Sequence, residues 1–210
     1  VDAGSLLNFL NSAFVSSVFG GLVAGGLTYF GVMISIRNEK SRLQTIQDAE
    51  IEGFCQAIGT ELDAIRNRYI SAVGEELGKS SADEPFMFYY PVFEDYFTVF
   101  NSNAKMLGKV NDAGLRTEIV QVYTKAKSIL DSIRHNNHLL IQYQNFFFRA
   151  SHSKHAYDEE QRDLYLFQLK QYAPALLRMH SEFMVSTDAV IGALKKSNRG
   201  LNSRIDSDLL

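Results

Sequence analysis

Five histidines, one cysteine and two glutamate pairs are the residues whose types could do chemistry in this chain. His135 and His138 stand at i and i+3, which could bring both imidazoles to one metal. On a helical wheel they fall opposite the Ile129, Ile133 and Leu140 stripe, near Asp131 and Gln142, on a face expected to meet solvent. His152 and His155 lie in a connecting stretch. A histidine–glutamate zinc motif (HExxH) is absent, so no metal is expected. His180 projects from the apolar face of the last helix. It reads as a core histidine bonded to a neighbour, with a pH-sensitive contact as the alternative. Cys55 sits beside an apolar stripe and reads as a small buried hydrophobe rather than a reactive thiol. Glu75/Glu76 and Glu159/Glu160 are adjacent pairs, not carboxylates spaced on one helix face, and read as solvated charge. Phosphate-binding glycine loops and the nucleophile elbow are missing. No catalytic residue and no cofactor are expected, and the chain does not read as an enzyme.

The elements that carry these residues begin with an uneven layout. Residues 3–36 hold no charged side chain, and nearly all charge lies after them. The whole chain has 24 acidic and 21 basic residues, a net charge of −3, which does not favour nucleic acid. A single cysteine excludes an intramolecular disulfide and fits a reducing compartment. Residues 13–36 supply the ~20 apolar residues that a bilayer crossing needs. A secretory signal would want basic residues at the start, where only Asp2 stands. A buried helix is rarely so long and uncharged. The expectation is therefore one transmembrane helix in a bacterial inner membrane. Arg37, Lys40 and Arg42 flank it on one side, placing the N-terminus outside and the C-terminal domain in the cytoplasm.

Within this segment small residues recur every four positions: Ser17, Gly21 and Gly25 on one line, and Ser16, Gly20, Ala24 and Thr28 on the next. Ser17, Gly20, Gly21, Ala24 and Gly25 are the residues expected to let copies of the helix approach closely, giving a homo-oligomer.

After the span the pattern is helical. Leu43, Ile46, Ile51, Phe54, Ile58, Leu62, Ile65, Tyr69 and Val73 recur every three or four residues, or near it. Residues 78–85 read as a loop. "FMFYYPVFEDYFTVF", residues 86–100, holds eight aromatics in fifteen residues. Pro91 favours an extended entry, with a helix following to about Val110. The aromatics read as core or as a partner groove, and Phe86, Phe88, Tyr89, Tyr90 and Phe93 are the partner-contact candidates. A helix capped by Asn111 or Asp112 should run to about Arg149, and another should open at Asp158 or Glu159. Pro174 should kink or break that last helix. A basic tail with Lys195, Lys196, Arg199 and Arg204 should fray. The expected organisation is an N-terminal segment and transmembrane helix over 1–36, a juxtamembrane helix over 37–77, a helical domain over 86–196 and a polar tail over 197–210. The fold class is all-α: one N-terminal transmembrane helix followed by a cytoplasmic bundle of three to four long helices.

"YFTVFNSNAKMLGKVNDAGLRTEIVQVYTKAKSILDSI", residues 96–133, resembles a pattern in small bacterial membrane-tethered helical proteins. The layout is similar to membrane effectors encoded beside anti-phage systems, retrons included. The resemblance implies an effector that disturbs the inner membrane when a cytoplasmic protein or ribonucleoprotein partner releases it, causing growth arrest. Direct nucleic-acid binding is not expected. The alternative is a passive anchor or adaptor that docks a cytoplasmic protein through its helical domain.

Overall fold

The computed structural model describes residues 3–92, 96–153 and 155–208, with side chains described at 4, 17, 25–92, 96–153 and 155–196. Among the described residues every regular element is helical. The helices are α1 (Ala3–Tyr69), α2 (Glu75–Lys79), α3 (Thr98–Ser102), α4 (Ala104–Leu107), α5 (Ala113–Ser153) and α6 (Ala156–Asp208). The chain divides into two compact units, Val1–Glu50 and Ile51–Leu210.

In the second unit α1, α5 and α6 share a core. Phe54, Ile58 and Leu62 of α1 meet Ile119 and Val122 of α5 and Val190 and Leu194 of α6. Further along, Ile65, Tyr69, Val73 and Leu77 meet Ile129 and Ile133 of α5 and Leu176 and Phe183 of α6. Leu139, Leu140 and Leu169 continue the seam between α5 and α6. These residues recur at three- and four-residue steps, so each helix buries one face. The apolar stripe expected over 43–73 divides: Phe54 onward enters this core, while Leu43 and Ile46 are exposed.

Local chemistry sets the joints. Between α1 and α2, Ile70–Gly74 widens into one π turn. A β-carbon on Gly74 would stand 3.0 Å from Cε1 of Tyr69, so glycine makes room for that ring. Asp112 caps α5 by accepting from the Leu115 amide at 3.1 Å. Gly114 leaves space for that carboxylate, because a β-carbon there would stand 3.1 Å from Oδ1. At the α5–α6 turn the Ser153 hydroxyl donates to the buried Asp158 carboxylate at 2.7 Å, and Arg149 approaches its other oxygen at 3.1 Å.

Three expectations are corrected. No helix among the described residues is long and apolar enough to cross a membrane. Among the described side chains, the apolar part of α1 passes directly into Arg37, Glu39, Lys40 and Arg42. The single span of a bacterial inner membrane, and with it the orientation that put the N-terminus outside and the C-terminal domain in the cytoplasm, is therefore not carried by the structure. Second, α6 runs through Pro174 without a break. Pro174 and Lys170, whose carbonyl loses its helical donor, are both exposed, so water can reach that carbonyl. Ala173 and Leu176 are buried on either side, and the break expected at Pro174 is not made. Third, no single helix follows Pro91. The chain has no regular structure over 96–97, then makes only the short turns α3 and α4.

Candidate functional site

The segment from Pro85 to Val92 has no regular secondary structure and lies against α5. Two consecutive asparagines of α5 hold it. The Asn136 amide donates to the Phe86 carbonyl at 3.0 Å. Asn137 serves both backbone groups of Tyr90: its Oδ1 accepts from the Tyr90 amide at 3.2 Å and its Nδ2 donates to the Tyr90 carbonyl. A segment without a strand partner must find one for its polar groups, and here side chains supply it. Phe86 is buried in the core, which fixes one end. Between the two fixed points Met87, Phe88 and Tyr89 are 45%, 40% and 52% exposed. They form an aromatic ridge whose backbone cannot collapse inward.

Next to the ridge lies a groove of about 430 Å³, lined by Ala57, Glu61, Ala64 and Arg68 of α1 and by Tyr96 and Val99. The Tyr90 and Tyr96 hydroxyls lie 3.5 Å apart, linking ridge to groove. The Arg68 guanidinium stands 5.4 Å from the centre of the Tyr96 ring.

Glu61, at the base of the groove, is buried. Its carboxylate accepts from the Val99 amide at 2.6 Å and the Phe100 amide at 3.1 Å, so it caps α3 from another element. It also accepts from the Tyr123 hydroxyl at 2.5 Å. Burial and then Glu61 push the Tyr123 pKa well above the usual phenol range, which keeps the proton on this donor. With the Thr98 hydroxyl as a fourth donor at 3.5 Å, this carboxylate serves as a structural cap. Glu61 was missed in the sequence. Its signal was an acidic residue set between Ile58, Leu62 and Ile65 inside an apolar stripe.

The candidate residues are scattered. Phe86 is core, Phe88 and Tyr89 are exposed, Tyr90 is half-buried, and Phe93 lies outside the described residues. Ser17 and Gly25 are exposed on α1. Gly20, Gly21 and Ala24 belong to the same helix, with their side chains outside the described residues. Arg37, Lys40 and Arg42 are all exposed. His135 and His138 are exposed on α5, and His135 meets the Tyr172 ring edge-on at 4.8 Å. The His152 Nδ1 lies 2.7 Å from the Phe148 carbonyl. Among the described residues no group of three or more His, Cys, Asp or Glu side chains could hold a metal ion. Cys55 is buried, and burial raises its pKa, so the thiolate is disfavoured. His180 shares a 2.7 Å hydrogen bond with the Tyr69 hydroxyl. Burial lowers the His180 pKa, so the imidazole is neutral near pH 7.

No family model matches the chain, and no curated protein and no solved structure is similar to it. The resemblance of residues 96–133 to anti-phage membrane effectors thus stands on those residues alone. The mode of action it implied depended on the bilayer crossing corrected above.

Proposed function

We propose that the helical bundle is a non-enzymatic adaptor that docks a protein partner on the ridge Met87–Phe88–Tyr89 and the adjoining Tyr96–Arg68 groove. The observation that carries this reading is the anchoring itself. Asn136 and Asn137 spend buried polar side chains on holding the flanks of the ridge, while its three large side chains stay exposed. Aromatic side chains and arginine on a fixed backbone are what dominate the binding energy of protein interfaces, because little freedom is lost when they are covered. The full use of Glu61 as a cap favours binding over catalysis.

The test is a photo-crosslinking phenylalanine analogue placed at Tyr89 in the full chain, expressed in the cells it comes from. One adduct of defined mass is expected at position 89, absent when the analogue is moved to exposed Thr124 on α5. Adding Phe88→Ala should remove the adduct and leave the helical circular dichroism unchanged. No adduct at 89, or the same adduct at 124, would overturn the reading.

A further inference from the structure

We infer that the partner lies on the ridge as an extended segment, adding as a strand to the backbone edge of Met87–Tyr89; this rests on the docking proposed above. Asn136 and Asn137 hold two backbone groups on the α5 side of the ridge, the Phe86 carbonyl and the Tyr90 amide. A peptide bond is planar and trans, so the group across each bond points the opposite way. The Met87 N–H and the Tyr89 carbonyl are therefore turned away from the asparagines. Among the described residues neither has a protein partner, and both residues are exposed. The backbone here is extended. One side-chain amide, that of Asn137, bonds both the N–H and the carbonyl of Tyr90, which requires the two groups on one side, as in a strand. Pro91 favours the same conformation in the residue before it. The Phe86 and Phe88 rings lie 6.1 Å apart, as same-face neighbours of an extended chain do. The edge thus offers a donor and an acceptor two residues apart, the pattern a neighbouring strand reads. Pro91 ends it, having no N–H opposite the Tyr90 carbonyl.

The composition of the edge points to its occupant. Proteins ordinarily blunt an open edge with charged residues or bulges. Residues 86–90, "FMFYY", carry no charge and are rich in the aromatics that favour strands. A docked helix spends its own backbone groups internally and leaves this edge unpaired, whereas an extended segment supplies the matching donor and acceptor. Phe88 and Tyr89 then select its side chains, since main-chain bonds give affinity and side chains give specificity in strand addition. Charge sets the flanks. From Ser80 to Ala104 the sequence holds Asp83, Glu84, Glu94 and Asp95 and no Lys, Arg or His. The complementary segment is apolar at its centre with basic residues on either side.

The probe is a library of random peptides displayed on phage and selected on the full chain. Enriched peptides should be apolar with Lys or Arg flanks. Synthesised and N-methylated one residue at a time, they should lose binding at alternate positions and keep it at those between, the period of a strand. Met87→Pro removes the outward donor and suits extended backbone, and should weaken these peptides about tenfold with unchanged helical circular dichroism. Replacing the Met87 amide by an ester, which takes away the donor alone, should do the same, and Met87→Leu should leave binding in place. No enriched peptide, losses that recur every three or four positions, indifference to both Met87 backbone changes, or a Tyr89 photo-adduct joining two copies of this chain would each overturn strand addition. The adduct at Tyr89 with another protein does not depend on the conformation of the partner, so docking on the ridge can stand where strand addition fails.

Discussion

Residues 27–46 and residues 54–77 are comparably rich in large apolar side chains, yet nearly all of the first set are exposed and most of the second set are buried. Both stretches are helical and both carry apolar residues at helical spacing. The difference lies in what is opposite. From Phe54 onward α1 meets apolar faces of α5 and α6, and its polar residues occupy the remaining sides. Over 25–36 the helix is uncharged all round, so no face is singled out for a partner in the same chain. Apolar content makes a helix capable of burial; a matched face on another element decides whether it is buried.

Substitutions at equivalent residues are the sharpest way to break this comparison. Leu62→Ala should lower the unfolding free energy by roughly 2–5 kcal/mol, because Leu62 is fully enclosed and its neighbours cannot close the cavity. Leu43→Ala should change it by less than ~0.5 kcal/mol. Urea titrations of both variants would check this, and equal losses would contradict the division. The next effect tests the polar member of the buried stretch. Glu61→Ala strands the Val99 and Phe100 amides and the Tyr123 hydroxyl, and should cost about 3 kcal/mol. Tyr123→Phe removes one donor and leaves the cap, and should cost about 1 kcal/mol in the same titration.

The smallest effect is pH-dependent and also belongs to the buried stretch, through Tyr69. The folded state depresses the His180 pKa, so the unfolded chain takes up the proton first as pH falls. Between the ordinary value of ~6.5 and the lower folded value the unfolded state binds more protons, and stability rises with pH there. The contribution is complete above ~6.5 and is lost as pH falls through the folded pKa. Unfolding midpoints measured from pH 7.5 down to 5 should drop less in His180→Gln than in the unsubstituted protein.

The sequence made the long helices legible because their buried residues repeat every three or four positions: Ile119, Val122, Ala126, Ile129 and Ile133 on α5 are an example. The start of α5 was legible as a cap at Asn111 or Asp112, for a similar local reason, and the structure assigns it to Asp112. His180 was also readable as a histidine bonded to a neighbour, since it interrupts an apolar face, though it is half-buried rather than core. What was not legible depends on residues far apart in the chain. Nothing in "DEPFMFYYPV" announces that Phe86 turns inward and Phe88 outward, because Asn136 and Asn137, some fifty positions later, decide it. The aromatic run suggested a helix after Pro91, whereas the chain makes two short turns separated at Asn103, the first starting where the Glu61 carboxylate accepts from the Val99 and Phe100 amides. The candidate docking residues were named as a block of five, and the structure separates the four described ones, Phe86, Phe88, Tyr89 and Tyr90, by burial alone.

The cap that Glu61 places on α3 has a consequence for how the molecule comes apart. Five residues are too few to hold a helical turn in water without help. α3 receives that help from a carboxylate on α1, which is itself fixed by the hydroxyl of Tyr123 on α5. The turn therefore cannot outlast the three-helix core, and it does not fray ahead of it as a surface loop would. In deuterated solvent the amides of Val99 and Phe100 should exchange on the timescale of whole-bundle opening, making a five-residue helix as slow as the centre of a long one.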